Sequence, residues 1–207
     1  MMLPTHALSG MVLALPLLVV APEYASIGLV AGLVGGIFPD LDLYFGHRKT
    51  LHFPIYYSVF AAVATAGALL TPTVATVGVA VFLLSGAVHC VTDILGSGLE
   101  LRPWEGTSER AVYDHYRGTW IPPRQLIQYD GSPADLFLSG LLAVPLLYAL
   151  EGVFRWIVIG AVIVAVAYTA LRRVLADLAV VVVRVLPASV TPYVPERYLE
   201  DLEPARS

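Results

Sequence analysis

Apolar residues in this chain come in long runs, with neither the alternation of a half-buried strand nor the one-sided stripe of a surface helix. The first covers residues 7–21 and is closed by Pro22 and Glu23. A second, 25–38, carries glycine at 28, 32, 35 and 36. Gly28 and Gly32, four apart, form the small-residue face through which membrane helices approach one another. Residues 53–70 and 74–92 are separated by Thr71-Pro72-Thr73, and 135–150 and 153–171 complete a set of six. Ser132 as N-cap, Pro133 in the first turn and Asp135 three residues past the cap mark the start of the fifth. A span needs about 20 residues, so the first two runs imply bilayer thinning or burial among other helices. The pattern predicts an all-α, polytopic membrane helix bundle of about six transmembrane helices, a single domain over residues 1–186. Residues 96–131 are the one long polar segment and read as a structured cytoplasmic loop. Residues 187–207 read as a polar tail, extended or frayed. Residues 174–186 are apolar but interrupted by Asp177 and Arg184. They lie in the interface, extend the sixth helix or pack on the bundle.

Composition supports this reading. The 207 residues are 57% hydrophobic and 14% charged, with mean hydropathy +0.76, where a soluble domain carries about 25% charge. A net charge of −4 argues against a nucleic-acid-binding stripe, so no nucleic-acid partner is expected. Cys90 is the single cysteine, which excludes an intramolecular disulfide. The first run lacks a basic leader and a small-residue cleavage site before a soluble domain, so it reads as a retained membrane helix. Six spans put both termini on one side, with His6, the 39–52 stretch, the long loop and Arg172-Arg173. The other side keeps little besides Glu23, Glu151 and Arg155. The arginine-rich side is expected to be cytoplasmic, making this a multi-pass cytoplasmic-membrane protein with the bilayer as its first partner.

Candidate chemistry is concentrated on that side. The stretch 39–52, PDLDLYFGHRKTLH, places Asp40, Asp42, His47, Arg48 and His52 between two apolar runs. His89 and Asp93, four apart, sit at the end of the fourth run, on one face of a helix. Singly, each has a bland reading: a helix-end hydrogen bond, a solvated turn, a loop histidine, and for His6 an N-terminal residue facing water. Together, four of the five histidines and three acids share one membrane edge, where ionisable groups are costly and mark function. The expected metal ligands are His6, Asp40, His47, His52, His89 and Asp93, around one or two divalent ions. Mixed nitrogen and oxygen donors suit Zn²⁺, and also Mn²⁺ or Fe²⁺. Asp42 is the expected proton acceptor, and Arg48 the cation that steadies an anionic substrate. His115, beside Tyr113, Asp114, Tyr116 and Trp120, reads as a surface-loop histidine and only secondarily as a ligand or lid residue. Asp130 and Ser132 read as turn and cap.

The order Thr5-His6, Pro39-Asp40-Leu41-Asp42, His47-Arg48-x-x-x-His52 and His89-x-x-x-Asp93, followed by Gly98 and Pro103, resembles the YdjM-like family. These are inner-membrane proteins described as metal-dependent hydrolases, one branch being called LexA-binding. The resemblance covers about residues 5–104. The family's H-R-G-x-T-H-S reads here as His47-Arg48-Lys49-Thr50-Leu51-His52-Phe53, keeping both histidines and the arginine and changing the Gly, Thr and Ser. A looser similarity, of residue order alone, links His6, Asp40, His52, His89 and Asp93 to zinc-dependent phospholipases C and the related single-strand nucleases. The resemblance implies a metal-dependent hydrolase, and the membrane-edge position implies a phosphoester or lipid substrate. The alternative is a non-enzymatic membrane protein whose metal or polar cluster is structural and serves a protein partner. A transporter fits less well, since the polar residues sit at one edge and no inverted repeat is evident.

Overall fold

The computed structural model describes residues 1–187 and 189–199, apart from the side chain of Glu196. It is mostly helical. Helix α1 (Leu3–Ala14) bends at Leu15-Pro16 into the short α2 (Leu17–Val20). A 3-10 turn, Pro22–Tyr24, reverses the chain into α3 (Ala25–Ile37), which runs on through a second 3-10 turn, Phe38–Asp42. The stretches Leu3–Val20 and Pro22–Asp42 are 18 and 21 residues long, longer than the runs 7–21 and 25–38. Their ends carry Thr5, His6, Asp40 and Asp42, polar residues that interrupt an apolar run but not the helical path.

Glycines let these two elements touch. A Cβ on Gly32 would lie 2.1 Å from the Gly10 carbonyl oxygen, and one on Gly36 would lie 2.3 Å from that of His6. Gly28, expected on the same face, meets the Leu17 side chain, while Gly35 points to the other neighbour, 2.3 Å from the Phe82 carbonyl oxygen. Helix α3 is thereby wedged between α1 and α5.

Helix α4 (Pro54–Leu70) packs on α5 (Val74–Ile94) through Tyr57, Ala61, Ala87 and Cys90. Thr73 and Thr76 cap α5 reciprocally. Ser132 caps α6 (Pro133–Ala149), as its sequence indicates. Asp135 has a second role: it accepts from Thr5 Oγ1 at 2.6 Å and from the Met2 amide at 2.7 Å, fastening α6 to the start of α1. Leu8, Met11, Leu29, Leu146 and Val158 form the core between α1, α3, α6 and the last long helix.

That helix, α7 (Gly152–Val185), has 34 residues. It absorbs residues 174–186 almost entirely, so Arg172-Arg173 does not end a helix. Arginine, leucine and alanine continue a helix readily, and no proline intervenes before Pro187. Among the described residues four stretches, Leu3–Val20, Pro22–Asp42, Val74–Ile94 and Gly152–Val185, are long and apolar enough to cross a membrane. The apolar helices α4 and α6, 17 residues each, are shorter. The loop 96–131 contains an antiparallel pair, β1 (Val112–Asp114) and β2 (Thr119–Ile121). The tail is not simply extended: it forms a 3-10 turn, Thr191–Tyr193, and α8 (Glu196–Leu199). Residues 200–207 of the expected tail lie outside the described residues.

Candidate metal centre

Three elements end at one point. Helix α5 brings His89 and Asp93 in its last two turns, the 3-10 turn after α3 brings Asp40, and the loop entering α4 brings His52. One donor atom from each lies within 4.8 Å of all the others. His52 Nε2 stands 3.7 Å from Asp40 Oδ1 and 3.4 Å from Asp93 Oδ2. His89 Nε2 stands 3.4 Å from Asp40 Oδ1 and 3.5 Å from Asp93 Oδ2. These separations are long for N–H···O hydrogen bonds. They match the edges of a coordination shell, since donors about 2.0–2.1 Å from a tetrahedral ion stand about 3.4 Å apart.

The far side of each imidazole fixes its near side. His89 Nδ1 donates to the Gly36 carbonyl oxygen at 2.6 Å, and His52 Nδ1 donates to Asp42 Oδ2 at 2.9 Å. A carbonyl and a carboxylate only accept, so each Nδ1 carries a proton and Nε2 is the nitrogen that faces the cluster. Both Nε2 atoms are buried and lack a hydrogen-bond partner among the described residues. Buried polar atoms are otherwise nearly always paired. His52 and His89 are 0% exposed and Asp93 1%, whereas the Asp40 side chain, at 19%, opens outward. Two histidines and two aspartates so arranged could hold a divalent metal ion.

Other expected site residues stand one step out. Asp42 is buried and accepts from His47 Nδ1, His52 Nδ1 and the Leu51 amide at 2.9–3.0 Å, and from the Arg48 amide at 3.3 Å. Its oxygens are taken up in orienting histidines and do not face the four-donor group. His47, expected as a ligand, is held by Asp42 instead. Burial pushes its pKa below the ordinary value, against the opposing pull of Asp42. His6, expected as a ligand and, alone, as a water-facing residue, is buried. It stacks on His89 at 3.6 Å and meets Asp93 Oδ1 through Nε2 at 3.0 Å. Arg48 donates through Nη1 to the Ser97 carbonyl at 2.6 Å and places Nε 3.4 Å from Asp93 Oδ2. Burial opposes its charge, but Asp93, Asp130 and Asp40 outweigh that and raise its pKa.

Arg48 adopts a left-handed backbone, φ +58°, a conformation that costs a non-glycine residue and persists only where neighbours enforce it. The β1–β2 hairpin supplies that support. The Tyr113 amide donates to the Arg48 carbonyl at 2.9 Å, and His115 Nε2 donates to the Lys49 carbonyl at 2.6 Å. His115 thus braces the site loop, and it is not among the four donors.

Beside the cluster lies a cavity of about 510 Å³. Asp40, His47 and Arg48 form part of its lining, Leu3 and Ile37 another part, and α7 a wall through Val164, Leu175 and Ala179. Asp130, read from sequence as a turn residue, also borders it. It bonds Tyr168 Oη and accepts from Arg172 Nε at 2.9 Å. Sequence reasoning missed Gly36, Ser97 and the Asp130–Arg172 pair, because carbonyl acceptors and contacts between distant segments leave no local signature. No family model, curated protein or solved structure matches this chain.

Proposed function

We propose that this protein is a membrane-bound, metal-dependent hydrolase of the cytoplasmic membrane. In this reading α4 and α6 complete six spans, and the site, the loop 96–131 and both chain ends face the cytoplasm. The observation that carries it is the pair of buried, unpartnered Nε2 atoms of His52 and His89, aimed at two carboxylates. A divalent cation is the partner that satisfies all four groups at once. When bound, such an ion polarises a phosphoryl or carbonyl oxygen and lowers the pKa of a bound water toward about 7. The resemblance to the YdjM-like family points the same way.

The chain's own groups then divide the work. Asp40, His52, His89 and Asp93 hold the ion. Asp42 positions His52 and His47, as carboxylates do behind metal-ligating imidazoles. His47, on the cavity lining, takes the proton of the attacking water, a task first expected of Asp42. Arg48 neutralises Asp93 and presents positive charge to the substrate.

One observation favours a second reading, a structural metal serving a protein partner. Four protein donors saturate a tetrahedral zinc, whereas a five- or six-coordinate ion such as Mn²⁺ or Fe²⁺ keeps open positions. Metal content by mass spectrometry on detergent-purified protein, with His89→Ala and Asp40→Asn alongside, tests the site. A screen of phosphoesters and lipids on the loaded protein separates the two readings. Metal lost in both variants together with turnover supports the hydrolase, and metal without turnover supports the structural site. No metal after zinc or manganese is added would sink both.

A further inference from the structure

The cavity beside the cluster has two chemically distinct ends, joined by one wall. Helix α7 rises about 1.5 Å per residue, so its 34 residues extend about 51 Å, well beyond a hydrocarbon core of about 30 Å. Counted from Gly152, that core ends near Arg172. Val164, Tyr168, Arg172, Leu175 and Ala179 all line the cavity, so one helix offers it a mainly apolar wall interrupted at Arg172. At the polar end, Asp40 faces the cavity with Arg48 beside it.

A bound ion and the Arg48 guanidinium are the groups at that end that can take an anionic head. A divalent ion and Arg48 together balance Asp40, Asp42 and Asp93, and Asp130 is consumed by Arg172. Glu100 also borders the cavity, one of its oxygens accepting from the Thr107 amide at 3.1 Å. Arg48 borders the cavity from a buried setting, where contact with an anionic oxygen gains most.

Resting on the metal-site reading above, we infer that the substrate is an anionic amphiphile. Its phosphate or phosphoester head sits between Asp40 and Arg48, and its hydrocarbon chain lies along Val164, Leu175 and Ala179 of α7. A soluble phosphoester would fill only the polar end.

The test compares dioctanoyl phosphatidic acid, glycerol phosphate and dioctanoylglycerol as ligands of the full chain in maltoside micelles. Binding is followed by titration calorimetry, and metal content is measured on every sample. The phosphatidic acid is expected to bind at least about tenfold more tightly than either probe that carries only its head or only its chains. Ala179→Trp and Leu175→Trp, which fill the wall, should erase that margin while keeping metal and glycerol phosphate binding. Equal affinity for phosphatidic acid and glycerol phosphate would overturn the inference in favour of a soluble phosphoester. Equal affinity for dioctanoylglycerol, or undiminished lipid binding by both tryptophan variants, would overturn the assigned head and wall. If a variant fails to fold, the ratios on the parent protein still decide. Absence of metal from the parent would overturn both readings, since Asp40 and Asp93 would then repel the head, whereas metal present without a lipid margin overturns this inference alone.

Discussion

Asp42 and the Gly36 carbonyl perform one task from different sources: each accepts the Nδ1 proton of a histidine and so aims the opposite nitrogen. Replacing Asp42 with Asn keeps the shape but turns an amide toward donors. Metal affinity is expected to fall about 10–100-fold, as for other outer-shell carboxylates, while His89→Ala loses the ion outright. Competition titration against a chelating dye checks both. His47→Gln separates ligand from base: metal content should be unchanged, and turnover on any phosphoester that proves a substrate should fall about 10²–10⁴-fold. Loss of metal from that variant would restore His47 to the ligand set. All six polar residues around Asp40 and His89 were legible as a group from their position between apolar runs. Their ranks were not, because spacing along a chain does not report which ring nitrogen is already engaged. His6 and His52 look alike in sequence, yet one stacks behind His89 and the other turns an unpartnered nitrogen to the cluster.

Among the elements, α3 determines whether the cluster can form, since it carries Asp40 at its end and accepts His89 through Gly36. Its glycines act through space, not turn geometry: α1 lies against Gly32 and Gly36 too closely for any Cβ. Gly32→Val should therefore force α1 and α3 apart and cost about 1–3 kcal/mol, the usual range for overpacking. Gly140→Ala, where nothing lies within 4 Å of the added carbon, should be neutral or stabilising by up to about 1 kcal/mol. Thermal unfolding of the two variants in one detergent makes the comparison, and equal losses would refute the close-approach argument. The small-residue face was readable at Gly28 and Gly32. Its partner was not, nor was the division of Gly35 and Gly36 between α5 and α1. The apolar runs located helices α3, α4, α5 and α6 well. They misplaced the start of α1 and the end of α7, where polar side chains are satisfied by distant residues such as Asp135 and Asp130.

At the scale of the whole molecule, Asp130 is the joint between the polar loop and the long helix. Its carboxylate takes Arg172 and Tyr168 together, and the same face of α7 packs Ala176 and Val180 on Leu101. All three residues of that joint border the cavity. Burial pushes the Asp130 carboxyl up, but the Arg172 guanidinium and the Tyr168 hydroxyl together hold it below the usual carboxylate range. A carboxyl depressed on folding stabilises the folded state fully above its unfolded value, about 3.9, and that contribution is lost as pH falls through the lower folded value. Asp130→Asn leaves Arg172 without its anion. The pair is only partly buried, with 11% and 22% of the side chains exposed, so the expected loss is about 1–2 kcal/mol, below that of a fully buried pair. Unfolding followed from pH 7 downward should show the parent above the variant by a constant margin until about pH 4. Below that the two curves should converge, because the parent gives up the interaction that the variant never had. The metal content of Asp130→Asn at neutral pH should match the parent, since no donor of the cluster touches Asp130. A parent and variant that stay parallel to the lowest pH would mean that the carboxylate is not what fastens α7 to the loop, and that the apolar contacts of Leu101, Ala176 and Val180 suffice.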